Sequence, residues 1–263
     1  MTWIKPIISL LTLASFAFFL VCNVGTITKS STINPTIYLL RLDMEGTSLD
    51  EIFTNSTASE FGNVFLPEYI TVGMYGYCYE YYDSSTTNAH CTTPKPMYVF
   101  NPKEIIADEL NEFLDVSTIE PDLILIPDKI EKYISIASTL SKLIYITSCI
   151  SIIMTFISFI LSFFKRVSNI MIFLQVICFI SSLLASGVST GMYQYITKQF
   201  NDKYSEFGIK AYMSTNYLVL TWFGTVLCLV VIILWFIYKR MERQQNVVKY
   251  YEHEMTPFVA TAL

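Results

Sequence analysis

The stretch LIYITSCISIIMTFISFILSFF (143–164), KRVSN (165–169), IMIFLQVICFISSLLASGVSTGM (170–192) sets two long uncharged blocks on either side of a short basic turn. Each block exceeds the roughly 20 apolar residues that a helix needs to cross a ~30 Å hydrocarbon layer with its backbone groups bonded internally. Outward along the chain, 7–24 and 218–238 are blocks of the same kind, also without a charge. The chain is 53% hydrophobic and 15% charged, with a mean hydropathy of +0.47. Its apolar residues are gathered into blocks rather than spread at core periodicity. These features predict an all-α transmembrane protein, a four-helix bundle.

Basic residues beside the spans set the expected orientation, because Lys and Arg collect on the cytoplasmic side. Lys165 and Arg166 in the turn 165–169, and Lys239, Arg240 and Arg243 after the fourth span, place those ends inside. The N-terminus 1–6 with Lys5 and the tail 239–263 are then cytoplasmic, and the loops 25–142 and 193–217 extracellular. The first block also resembles a secretory signal. Its length, and the lack of a small-x-small pattern in Gly25-Thr26-Ile27-Thr28, favour a retained span.

Asn55-Ser56-Thr57 in the large loop is a glycosylation acceptor, whereas Pro35 excludes Asn34. Four of the six cysteines, Cys22, Cys149, Cys178 and Cys228, lie in the apolar blocks, while Cys78 and Cys91 share the large loop. In an oxidising compartment the latter pair suggests a disulfide closing about 14 residues, worth roughly 3 kcal/mol on the chain-entropy model; free or metal-binding thiols are the alternative. TIYLLRL (36–42), YITVGMYGYCYEYY (69–82) and PMYVF (96–100) read as strands, with a bend or close backbone approach at Gly73 and Gly76. The turn chemistry of DSSTTN (83–88) suits a hairpin stapled by the two cysteines. KEIIADELNEFLD (103–115) has the spacing of a short surface helix, with Ile106, Leu110, Phe113 and Leu114 on one face. Beyond Pro121 and Pro127, a helical pattern from Asp128 runs into the second span. The expected whole is a bundle under a small extracellular β-rich, disulfide-stapled cap.

In the third span, Gly187-x-x-x-Gly191 with Ser182, Ala185, Ser186 and Ser189 makes a small-residue face. It serves packing within one bundle, the favoured reading, or contact between subunits. Trp3, Tyr193, Tyr195, Trp235 and Tyr238 read as interfacial anchors, and Cys149, Cys178 and Cys228 as small packing residues.

Little in the sequence suggests chemistry. The two histidines, His90 and His253, fall on opposite sides of the membrane in this topology, so no His-based metal site or Ser/His triad is expected. Phosphate-loop, Cys-x-x-Cys and His-Glu-x-x-His patterns are missing. Asp43, Glu45, Asp50 and Glu51 read as a solvated acidic face. No cofactor, metal or enzymatic activity is expected. Without intramembrane charge, and with Gln175 the main polar residue at depth, transport is poorly supported. A net charge of −5 and a pI near 5.1 argue against nucleic acid as a partner. Lys239, Arg240, Arg243 and Lys249 give the ordinary positive-inside signal, and could also touch anionic lipid at about 1 kcal/mol per well-placed charge.

Gly73-Met74-Tyr75-Gly76-Tyr77-Cys78, the later Cys91 and Pro94 resemble the Gly-Leu-Trp-x-x-Cys...Cys signature of claudin-like four-helix proteins, which in fungi belongs to the Sur-seven/PalI family. Three further stretches are similar to that family: Ile37-Tyr38-Leu39-Leu40 with Asp43, Leu66-Pro67-Glu68-Tyr69-Ile70, and Tyr204-Ser205-Glu206-Phe207-Gly208-Ile209 leading through Asn216-Tyr217 to Thr221-Trp222. Together they cover the chain from end to end. The departure is Met74-Tyr75 in place of Leu-Trp, which keeps an amphipathic aromatic and loses the indole. Length and short tail look closest to the small nitrogen-stress-induced member. The resemblance implies a plasma-membrane protein of furrow-like eisosome domains, acting in membrane organisation, cell-wall integrity and stress response. The partners that follow are membrane lipids, anionic or of sphingolipid-rich domains, further copies of the chain in a homo-oligomer, and other eisosome proteins. Two alternatives are an accessory of ambient-pH signalling, a branch that typically has a longer tail, and a regulator of calcium influx with a related layout.

Overall fold

The computed structural model describes residues 3–25, 36–44, 67–80, 90–101, 104–105, 128–164, 168–205 and 208–260. Four long helices dominate it: α1 (Ile4–Val24), α2 (Asp128–Leu161), α3 (Ser168–Tyr204) and α4 (Thr215–Ala260). Each holds an apolar stretch long enough to cross a bilayer, over Ile4–Val24, Ile136–Leu161, Ser168–Asp202 and Thr215–Val248. The chain is a multi-pass membrane protein. α1 packs on α2 and α4, and α3 packs on the same two, so the helices close into a ring. Chain direction alternates around it. At the end away from the sheet, the Lys5 ammonium lies 5.1 Å from the centroid of the Tyr238 ring, and Ser9 Oγ lies 3.0 Å from Ser162 Oγ.

The helices and the apolar blocks do not share boundaries. α2 ends at Leu161 rather than at 164, where the Ser162 hydroxyl donates to Phe159 O at 2.6 Å and competes with the next helical bond. α3 runs past 192 to Tyr204, and the added turns bury Ile196 and Phe200 in the core beneath the sheet. α4 starts on Ser214, whose hydroxyl accepts the Tyr217 N–H at 3.1 Å and donates to Thr36 O at 2.8 Å. It is an N-cap that also ties the helix to the chain leaving α1.

Five short strands form one antiparallel sheet in the order β4-β3-β2-β1-β5: β1 (Leu40–Asp43), β2 (Tyr69–Val72), β3 (Tyr77–Glu80), β4 (His90–Cys91) and β5 (Lys210–Tyr212). Period-2 alternation turns Leu40, Leu42, Ile70, Val72, Tyr77 and Tyr79 inward. This face shares one core with Ile144 of α2, Tyr193 of α3 and Tyr217 of α4. Cap and bundle are therefore one packed body at this end. Cys78 and Cys91 stand opposite each other across β3 and β4 and are joined as a disulfide. β5 comes from the connection between α3 and α4. Asn201 of α3 grips it from both sides, accepting the Ala211 N–H at 2.7 Å and donating to Ala211 O at 3.0 Å.

The strands differ from expectation in detail. The run 36–42 yields only Leu40–Asp43, and 69–82 divides into β2 and β3 at the bend 73–76. Residues 96–100 form no strand. They start with a turn in which Met97 has φ 56°, and Phe100 packs into the core. The reason is edge occupancy: β4 takes the outer edge of β3, while Lys95 N–H is held on Tyr75 O at 2.7 Å, directing the chain away from the sheet. Asn55, Glu45, Asp50, Glu51, Lys165, Arg166, the turn 83–88 and all of 103–115 except the helical pair Glu104 and Ile105 lie outside the described residues.

Candidate functional site

The sequence signature forms the turn between β2 and β3, and that turn seats the cap on the helices. Gly73 N–H donates to Gly76 O at 2.8 Å, closing the bend. Gly76 is required by space: a Cβ there would lie 2.5 Å from Thr92 Oγ1. That hydroxyl belongs to the strand joint, since it accepts the Tyr77 N–H at 3.1 Å and donates to Tyr77 O at 3.2 Å. The two residues at the tip point at the bundle. Met74 is buried against a small cavity between the helices, and the Tyr75 hydroxyl reaches Asn23 Oδ1 of α1 at 3.4 Å. The Tyr75 ring meets Tyr145 of α2 edge to face, with centroids 5.6 Å apart. Tyr75 thus contacts two helices at once.

Burial, first of all, pushes the Tyr75 phenol from its ordinary value of 10.0 up to about 12. The protonated phenol is the form that fits the docked turn, so its contribution is complete below about pH 10 and is lost as pH rises towards about 12. Alkaline titration of the folded protein in detergent is expected to loosen the cap over this window in the native chain, and less in Tyr75→Phe, which cannot ionise. Identical alkaline profiles for the two would contradict the docking role.

The bundle interior mixes apolar side chains with many small hydroxyls, and its exterior is rich in large apolar residues. On α2, Thr147, Ser151 and Thr155 each donate to a carbonyl one turn back, at 2.7, 2.9 and 2.7 Å. On α4, Thr221 and Thr225 do the same at 2.9 Å each, and Ser186 of α3 meets Thr225 at 3.0 Å. Lipid tails are as apolar as leucine, so apolar burial does not drive helices together in a membrane; small side chains and interhelical bonds do. The exposed residues correspondingly include Ile153, Phe156, Phe173, Phe223 and Phe236.

The six small residues expected to share a face of α3 do not. Ser182, Ala185, Ser186 and Ser189 are buried inside the bundle. Gly187 and Gly191 face outward, with nothing within 4 Å of the position of an added Cβ. The two sets occupy different sectors of the same helix, a consequence of the 100° step between residues. The glycine that brings helices together is Gly224 on α4, unmarked by the sequence reading. A Cβ there would sit 2.7 Å from the Phe19 ring of α1, and Ser15 Oγ donates to Gly224 O at 3.1 Å. The spacing Gly224-x-x-x-Cys228 was the available signal.

Among the expected anchors, Trp3 and Tyr195 are exposed. Tyr193, Trp235 and Tyr238 are instead core residues, drawn inward by the ring of helices. Cys178 and Cys228 are buried between helices, as packing residues would be, and Cys149 is half-buried. Gln175 is buried, and its amide has no partner among the described residues. Lys239, Arg240 and Arg243 line an open groove on α4 together with Phe236.

The chain is similar over most of its length to Protein PUN1 of Saccharomyces cerevisiae, 26% identical over 235 residues that cover 86% of this chain and 88% of that one. No solved structure matches it at a significant level. The model of the SUR7/PalI family matches residues 4–234, a span that takes in α1, the whole stapled sheet with its Met74-Tyr75 turn, α2, α3 and the membrane stretch of α4 as far as Leu234. Signature, four-helix ring and family match therefore coincide, and the chain belongs to the SUR7/PalI family.

Proposed function

We propose that this protein is a non-catalytic organiser of a plasma-membrane microdomain of the eisosome type. In this reading both termini are cytoplasmic and the stapled cap is extracellular. It supports membrane organisation, cell-wall integrity and stress response through lateral self-assembly with further copies and with other eisosome proteins. The observation that carries the reading is the outward face of α3. Gly187 and Gly191 lie one turn apart on the lipid side with nothing beside an added Cβ among the described residues, flanked by exposed Ile180, Leu183 and Leu184. Such a face lets a neighbouring helix approach closely. The groove lined by Lys239, Arg240 and Arg243 suits anionic lipid headgroups at the opposite end from the cap.

The test is location. A fluorescently tagged chain is expected in furrow-like patches at the cell surface, with Gly187→Leu/Gly191→Leu spreading it evenly and lowering the cross-linked oligomer. The variant should leave the monomer intact, because a Cβ at either position meets no atom of the described residues. Diffuse or internal signal from the native chain would overturn the proposal.

A further inference from the structure

We propose that Cys178 and Cys228 form an oxidisable dithiol, which hydrogen peroxide converts into a disulfide linking α3 to α4 within the bundle. The two sulfurs face one another across the helix seam at 3.4 Å, both fully buried. Each is set by its own polar contacts: Cys178 Sγ donates to Ser151 O at 3.7 Å, and Cys228 Sγ lies 3.1 Å from Ser15 Oγ. A cysteine that only fills space needs no second thiol at van der Waals distance, and two that face each other are one bond from a cross-link.

A small cavity lies one turn away from the pair. It has a volume of about 10 Å³ and is lined by Asn23, Ser148, Ser151, Ser182 and Ser186 among others. That is the lower limit for a single water, and Phe19, Cys22, Met74 and Tyr217 share its walls with the serines. Ser151 is the residue whose carbonyl Cys178 touches, and Ser182 follows Cys178 by one helical turn. Hydrogen peroxide is small and uncharged, so it enters the bundle without the cost of burying a charge.

The step balances with peroxide as the sole oxidant. One sulfur attacks a peroxide oxygen; the S–O bond forms, the O–O bond breaks, and the departing hydroxide takes the thiol proton to leave a sulfenic acid and water. The second sulfur then attacks the first. The S–S bond forms, the S–O bond breaks, and a second water leaves with the remaining thiol proton. Two thiols and one peroxide give one disulfide and two waters.

Membranes holding the full chain are treated with hydrogen peroxide, denatured in a thiol-alkylating reagent, and digested for mass spectrometry. The expected result is joint loss of alkylation at Cys178 and Cys228, with a linked peptide pair lighter by two hydrogens, while Cys149 stays alkylated. Cys228→Ser should abolish the pair and keep the Cys78–Cys91 bridge, which reports that the variant still folds. The proposal is overturned if, in the native chain, Cys178 and Cys228 stay as fully alkylated as Cys149 at a dose that oxidises added glutathione completely. It is equally overturned if peroxide removes alkylation at Cys178 to the same extent in Cys228→Ser, or if Cys178 is found bonded to another cysteine.

Discussion

Gly224→Leu is expected to separate α1 from α4 and to have the largest effect of any single substitution in the membrane region. Even a methyl at this position would stand 2.7 Å from Phe19 Cε1 and 3.1 Å from Cζ. The ring cannot simply rotate away, because Phe19 is buried in the cluster it forms with Cys178 and Cys228. Overpacking of a tight site costs about 1–3 kcal/mol. Here the displaced helix would also lose the bond from Ser15 Oγ to Gly224 O, 3.1 Å in the native chain, and the contact of Ser15 with Cys228, also 3.1 Å. The readout is twofold: a lower thermal midpoint in detergent, and alkylation of Cys228 under native conditions, where it is now shielded. Gly187→Leu is the matched control, since its side chain would enter open space. Equal effects of the two substitutions would show that Gly224 does not set the helix approach.

Replacing both Cys78 and Cys91 by alanine is expected to release the edge of the sheet while leaving the helices in place. β4 is only two residues long, His90 and Cys91, and among the described residues pairs with β3 alone. So short a strand has little to hold it besides the bridge. Restoring the freedom of a loop of about 14 residues costs roughly 3 kcal/mol. The loss should pass to the seat of the cap, because Thr92, the residue after the strand, is the one that bonds both backbone groups of Tyr77 beside Gly76. Faster limited proteolysis of the cap with unchanged helical circular dichroism is the expected result. Reduction of the native chain should reproduce it. If the proteolysis rate stays the same, the bridge is not what holds β4.

Four spans were legible because each is a statement about length and charge, quantities that need no neighbour to be defined. The stapled hairpin was legible for a similar reason: Cys78 and Cys91 are close in sequence, and local turn chemistry lies between them. Gly73 and Gly76 marked the bend by composition alone, although the reason for Gly76, the Thr92 hydroxyl, comes from a segment that folds back. Residues 96–100 failed as a strand because propensity does not show whether a sheet has a free edge. Lys210–Tyr212 was missed because three residues are too few to display alternation, and the strand is fixed by Asn201 from outside it.

By itself, then, the sequence determined a membrane protein of four helices with a disulfide-bonded cap and, through its motifs, the resemblance to its family. Tertiary structure decided which side chains face inward. A membrane helix is apolar on every side, so hydropathy does not distinguish the bundle sector from the lipid sector. Only the ring of four helices separates Ser186 from Gly187, turns Trp235 into a core residue, gives Gly224 its purpose and places Cys178 against Cys228. Contacts between residues far apart in the chain settle those assignments, and they exist only once the helices have met.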